Sequence, residues 1–381
     1  MTIRGGLARA AAAACLAWAL CFPTGQAIAS SGFDDTARVI AGYPVGANAF
    51  GKAEAGQHHG YAQEISTYWG EYERKMGRPM REWACHEVGR SGGQTVFYPF
   101  SGPDLPSVYE LFPEADRYVL VSMQKAEAPP KFESYSQSGY DDYLSVLHKA
   151  WRFFGTLGFF RTNDLNPEAS ANGVPIGVTG PLMAFAARLG FRVESVDPIL
   201  LVDLERDVVL RDRGPEKSDT WDSVRITLSR GGRRVLVDYV RMDLSDGSLR
   251  NEPIARKWLD YIAANPTLLK AASHHPQGPD FSIVRNSILS RAPLIVQDET
   301  GIDYDALAQS FDVSLYGKFT RPNRAFDQGL QRGLASAYQK GMVVKPLPFR
   351  LGYEKDAGSA MQVAVRDGNS RPLPERCGGG R

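Results

Sequence analysis

Three stretches of this 381-residue chain hold side chains whose types and spacing could do chemistry. "FYPFSGPD", residues 97–104, sets Ser101, Gly102, Pro103 and Asp104 straight after an apolar run and straight before a helical pattern. "QDETG", residues 297–301, places Gln297, Asp298, Glu299 and Thr300 after the apolar run 294–296, where ligands collect in α/β sheets. "HHPQGPD", residues 274–280, leads from the pair His274 and His275 to Asp280. Four chemistries are open to such residues: anion binding at a helix start, acid–base work by paired carboxylates, nucleophilic attack by a serine, and metal ligation by histidines.

The serine is the weakest of these. A nucleophile elbow needs small residues around its serine, and Pro99 and Phe100 precede Ser101 instead. Metal ligation is little better, because adjacent histidines rarely turn to one ion and no HExxH or CxxC spacing supports His58-His59 or His274-His275. Cys85 and His86 do not make a nucleophile–base pair, since adjacent side chains on a helix diverge by about 100°. No metal site and no cofactor are expected. Asp104, Asp280 and Asp298 all stand near corners, but glycoside hydrolysis depends on the distance between two carboxylates, which spacing in sequence does not supply.

The corners recur, and the recurrence explains them. "VTGPLMAFAARLGFRVESV" (178–196) and "QGPDFSIVRNSILSRAPLIVQ" (277–297) repeat the order of the first corner: Gly-Pro, apolar residues at helical spacing, then a strand-like run. Glycine permits the reversal, proline fixes φ near the helix start, and Asp104 or Asp280 is placed to accept from the free N–H groups of the first turn. A cap aspartate occupies the donors that an anion would use. Capping is therefore the expected role of Asp104, and its loss is expected to cost about 1 kcal/mol.

The elements that carry these corners predict an α/β or α+β fold: a mixed sheet with repeated strand-corner-helix units and one antiparallel hairpin. Apolar and aromatic residues from Tyr61 to Trp83 recur every three or four positions, an amphipathic helix expected to break at Gly77-Arg78-Pro79. Further helices are expected at 140–154, 253–263 and 328–340. "SVRITLSRGGRRVLVDYV" alternates over 224–240 and turns at Gly231-Gly232, which predicts a hairpin. Residues 30–56 read as a loose lead-in, 57–165 as a first α/β region, 174–365 as a second containing the hairpin, and 366–381 as a mobile tail. The polar stretch 162–173 is the expected boundary. On the strand-like "LYGKFTRP", alternation puts Tyr316 and Lys318 on one face.

Three of these strings, "FYPFSGPD", "VQDETGIDY" (296–304) and "DVSLYGKFTRP" (312–322), resemble segments of a group of uncharacterised exported bacterial proteins with YPFSGPD, QDxTGI and LYGxYxxP strings. The resemblance implies export and a shared fold, and it carries no catalytic residue across.

Export is also read from the first residues themselves. Arg4 and Arg9 precede an apolar segment, Ala10 to Phe22, and Ala27-Ile28-Ala29 has the small-x-small pattern of a cleavage site, so 1–29 is expected to be a signal peptide. No later stretch is long and apolar enough for a membrane span. Losing the signal removes two arginines, and the formal charge passes from +1 to near neutrality on the negative side, so nothing recruits nucleic acid. Of four cysteines, Cys85 and Cys377 would remain, a candidate disulfide in an oxidising compartment. The expected protein is periplasmic or secreted, and either binds a small molecule or glycan noncatalytically, or scaffolds the envelope. A hydrolase acting on glycan or peptide through the corner carboxylates is the alternative. If the corners after 97–100 and 294–296 end parallel neighbours, Ser101, Asp104, Gln297, Asp298 and Thr300 should line one cleft, bordered by His274 and His275.

Overall fold

The computed structural model describes residues 32–44, 50, 56–89, 93–157, 176–204, 207–212, 221–270, 274–319, 331–351 and 359–368, within one compact unit, Ser31–Arg381. Residues 1–29, the stretch 162–173 and Cys377 lie outside them, as does 369–381 of the expected tail.

The lead-in is not loose throughout. Residues Gly32–Ile40 form α1, which buries Val39 and Ile40, and the Asp34 carboxylate accepts from the Val193 amide at 2.9 Å. One helical turn or two of apolar residues was too short a period to stand out in a Gly- and Ala-rich segment. The expected break at Gly77 is likewise absent. Helix α2 (Gly56–Tyr72) runs through a π-helical turn, Glu73–Gly77, straight into α3 (Arg78–Glu87). Buried Tyr72, Met76 and Met80 are spaced by four and four, which would walk an apolar stripe around an ordinary helix. The wider turn absorbs the drift and keeps all three inward, and Pro79, which has no N–H to offer the turn before it, stands in the first turn of α3 directly after the π-helical turn.

The first corner forms as expected: β1 (Thr95–Pro99), α4 (Leu105–Leu111) and β2 (Arg117–Ser122). Then come α5 (Gln137–Leu157), α6 (Thr179–Arg188), β3 (Arg192–Leu204) and β4 (Asp207–Asp212). The hairpin is β5 (Val224–Arg230) and β6 (Arg233–Arg241), paired antiparallel. Gly231 (φ 57°) and Gly232 (φ 81°) both take the left-handed backbone that a tight two-residue hairpin turn demands. Helices α7 (Asp246–Asn251) and α8 (Pro253–Ile262) lead to the short β7 (Thr267–Leu269). Next are α9 (Ser282–Arg291), β8 (Leu294–Asp298), α10 (Tyr304–Leu307) and β9 (Phe311–Gly317). The last elements are α11 (Arg332–Gln339), β10 (Val344–Lys345) and β11 (Ala360–Arg366).

Among the described residues, eleven strands join one mixed sheet in the order β10-β9-β11-β8-β7-β1-β2-β6-β5-β3-β4. Strands from both sides of the expected boundary share it: β1 and β2 from the first region sit between β7 and β6 from the second. At its centre β8, β7, β1, β2 and β6 are all parallel, with Phe97 level with Thr267 and Thr267 level with Ile295. Strands buried on both faces read as unbroken apolar runs, which is how β1, β2 and β8 were legible. Helix α4 packs on one face, its Leu105, Val108 and Leu111 sharing a core with Val96, Tyr98 and Val296. Helices α8 and α9 pack on the other, with Trp258, Val284 and Ile288 against Phe97, Leu269 and Ile295.

Two other expectations are corrected. Tyr316 and Lys318 do not share a face: Gly317 is left-handed (φ 84°), Tyr316 is buried with its hydroxyl donating to Glu87 at 2.7 Å, and Lys318 lies exposed beyond the strand. In the second corner, Gly180 and Pro181 belong to the first turn of α6 and make no reversal. Thr179 holds that corner, its hydroxyl donating to the carbonyls of Ala126 and Glu127 at 2.9 and 2.7 Å.

Candidate functional site

From β1 the chain steps to β2 through α4 on one face of the sheet; from β7 it steps to β8, in the opposite direction, through α9 on the other face. Between β1 and β7 the order therefore reverses, and the helices diverge above the carboxyl ends of the strands. In open α/β sheets this is where ligands bind. The residues ending β1, β7 and β8 are those of the first and third corners.

On the α4 face the edge is polar and buried. Residues alternate across a strand, so Tyr98, Lys270 and Asp298 continue the face that holds Val96, Leu268 and Val296. Lys270, the residue directly after β7, sets its ammonium 3.1 Å from the Asp104 carboxylate, with both side chains almost wholly out of water. The Tyr98 hydroxyl is shared between Asp104 (2.8 Å) and the Lys270 carbonyl (3.1 Å). Burial, and then the Asp104 charge, push the Tyr98 phenol far up, so it stays a donor. Asp298 accepts from the Thr300 amide at 2.9 Å and from the Thr300 hydroxyl.

Asp104 does cap α4, accepting from the Ser107 amide at 3.4 Å, but that is the longest of its contacts. Its stronger partners, Tyr98 and Lys270, come from the strand before it and from the end of β7, far along the chain. The expectation of capping alone is thus corrected. Asp280 does not cap at all. It is exposed, and the first turn of α9 is capped by Asp246 of α7, which accepts from the Ile283 amide at 2.8 Å and the Ser282 hydroxyl at 2.5 Å.

Gln297 leaves the group. It points to the α9 face, where its amide brackets the Ile302 backbone, accepting from the nitrogen at 2.8 Å and donating to the oxygen at 2.7 Å. Gln277 and Gln331 donate to the same turn, at the carbonyls of Glu299, Gly301 and Ile302. These three glutamines hold the 299–302 loop. Ser101 stays at the edge, half-buried, its amide bonded to the Val121 carbonyl at 3.0 Å.

On the α9 side the edge is aromatic. Phe100, His275 and Phe281 form a closed triangle with ring centroids 5.4, 5.6 and 4.7 Å apart. His275 is exposed and the two phenylalanines are half-exposed. Burial holds the His274 imidazole below its usual range, and partial desolvation does the same for His275, whose ring is covered on one side by the two phenylalanines, so both rings are neutral near neutral pH. Phe100 (φ 60°) and His274 (φ 54°) are non-glycine residues in left-handed backbone at neighbouring strand ends. Each such residue costs on the order of 1–3 kcal/mol, and such strain gathers at functional sites.

Sequence reasoning passed over Lys270, Tyr98 and Phe281. A lysine closing the apolar triplet "TLL" was the available signal for the first, and strand alternation for the second.

A concave surface lies away from this edge, between α2 and α5. It is a cavity of about 410 Å³ lined by Tyr61, Glu64, Asp141, Leu144 and His148 among others. There the His148 ring nitrogen lies 2.5 Å from Glu64, whose carboxyl is held below its ordinary value by that contact. Among the described residues, no group of three or more histidine, cysteine and acidic side chains could hold a metal ion.

No family model, curated protein or solved structure matches the chain.

Proposed function

We propose that this chain is a noncatalytic binding protein that takes a ring-bearing polar ligand, a glycan in the first instance, at the carboxyl edge of β1, β7 and β8. The observation that carries this reading is the partly exposed triangle of Phe100, His275 and Phe281 at the point where strand order reverses. Sugar rings stack their C–H faces on aromatic planes, and flanking hydroxyls and imidazoles give them polar partners; Ser101 and His275 supply both. The left-handed Phe100 and His274 fit a rim held in one shape before the ligand arrives.

The carboxylates favour binding over the hydrolase alternative. Asp104 is committed to Lys270, Tyr98 and Ser107, and Asp298 to Thr300. A general acid and its partner need faces turned to the substrate.

Export belongs to the same reading. We place the chain in the periplasm or beyond on the strength of Arg4, Arg9, the apolar run after them and Ala27-Ile28-Ala29. Cys85, on α3, then pairs with Cys377.

Calorimetric titration with a panel of soluble oligosaccharides, bacterial wall fragments included, tests the site. Saturable binding that is lost in both Phe281→Ala and His275→Ala is the expected result. Binding that survives both substitutions, or none across the panel, overturns it. Release of reducing ends during the titration would instead favour the hydrolase.

A further inference from the structure

We propose that Tyr72, Ser107 and Glu110 enclose an internal water-binding site that joins Glu110 to the Asp104 cluster. Three polar atoms lead to it: the Tyr72 hydroxyl, the Ser107 hydroxyl and Glu110 Oε1 are each buried without a hydrogen-bond partner among the described residues. The side chains are fully out of solvent. Interiors seldom leave one such atom unmet, and three in one neighbourhood call for a guest with both donors and acceptors.

They share that neighbourhood by construction. Ser107 and Glu110 are three apart on α4 and lie on one face of it. Tyr72 ends α2 where the π-turn begins, and α4 packs beside that turn and α3. Charges on Glu110 and Asp104 both reach the Tyr72 phenol and, after burial, raise its pKa further, so the ring lies within range of the two acids. The Ser107 amide is bonded to Asp104, and the second Glu110 oxygen accepts from Arg81 at 2.5 Å, so Oε1 is the carboxyl oxygen left unmet. Water fits this set better than a cation does. Arg81 already brings a positive charge to Glu110, and two hydroxyls and one carboxyl oxygen are the three partners that a buried water usually has.

The site goes beyond the ligand-binding reading and does not depend on it. Thermal unfolding of Tyr72→Phe, Ser107→Ala and the double variant, with a crystal structure at better than about 1.5 Å resolution, tests it. Each single substitution is expected to lower the melting temperature, and the double variant is expected to lower it by less than the sum, because both hydroxyls hold the same water. Ordered density within hydrogen-bonding reach of at least two of the three atoms is expected in the crystal. A Tyr72→Phe protein that melts higher or unchanged would show that nothing was bonded to the hydroxyl. A direct Tyr72–Glu110 hydrogen bond with no water between them would equally overturn the proposal.

Discussion

Lys270 and Asp104 form a buried ion pair, 3.1 Å from nitrogen to oxygen, that ties the end of β7 to the start of α4 across the point where strand order reverses. A pair so far out of water contributes little net stability over an apolar equivalent, but removing one partner leaves the other charge desolvated, at about 3–5 kcal/mol. Lys270→Met keeps the length of the stem and removes the ammonium, leaving the Asp104 carboxylate with Tyr98 and the Ser107 amide. Its unfolding free energy in urea should fall by about 3 kcal/mol, and the double variant Lys270→Met/Asp104→Asn should recover part of the loss. A loss near 1 kcal/mol for Asp104→Ala, with no coupling to Lys270, would return Asp104 to the role of a simple cap.

Gly180 tests the second corner. A Cβ there would lie 2.0 Å from the Tyr143 hydroxyl, and Tyr143 is itself buried in the core on α5. The glycine is required by contact between α6 and α5 and not by backbone conformation, since its φ is not positive. Overpacking of this kind costs about 1–3 kcal/mol. Gly180→Ala should lower stability by that much, and Tyr143→Phe in the same chain should give part of it back by removing the atom that is struck.

The fold was readable because its signals are local. Unbroken apolar runs mark β1, β2 and β8, strict alternation with Gly231-Gly232 marks the hairpin, and spacings of three and four mark α2, α5 and α8. What stayed hidden depends on distant parts of the chain. Asp104 looks like a cap in sequence because Ser107 is near, while Lys270 meets it only through the pairing of β7 with β1. Asp280 looks like a cap for the same reason, yet Asp246 takes the position from a neighbouring helix. Gln297 and Asp298 are adjacent in sequence, and alternation along β8 sends them to opposite faces, so one candidate cleft could not hold both. The strand β7 itself is three residues long, below the length at which a run declares itself.

Export and oxidation are checked together on protein from its native host. The intact mass should lack about 29 residues from the amino end if 1–29 is a signal peptide. Alkylation without reductant should leave Cys85 and Cys377 unlabelled, and alkylation after reduction should label both. A full-length mass in the soluble fraction removes the case for cleavage, and labelling of both thiols without reductant removes the disulfide.

Glu110 sets a dependence of stability on pH whose sign is fixed by its surroundings. It is buried on α4 facing Arg81 and Glu73 of the α2–α3 helix, with Arg230 of β5 farther off. Burial outweighs the attraction of Arg81, and the Glu73 charge adds to it, so the carboxyl is pushed up to about 8 from an ordinary 4.5. A raised acid binds its proton more tightly folded than unfolded. Below about pH 4.5 both states hold the proton and the contribution to stability is complete; as pH rises toward about 8 the unfolded chain alone gives its proton up, and that contribution is lost. The loss is on the order of a few kcal/mol. Glu110→Gln keeps an acceptor for Arg81 and removes the titration. Urea unfolding from pH 5 to 8.5 should therefore show the parent protein losing stability relative to the Gln variant across the window, with the largest gap at the alkaline end. Parallel curves for the two proteins would mean that Glu110 is ionised throughout and that Arg81 outweighs burial.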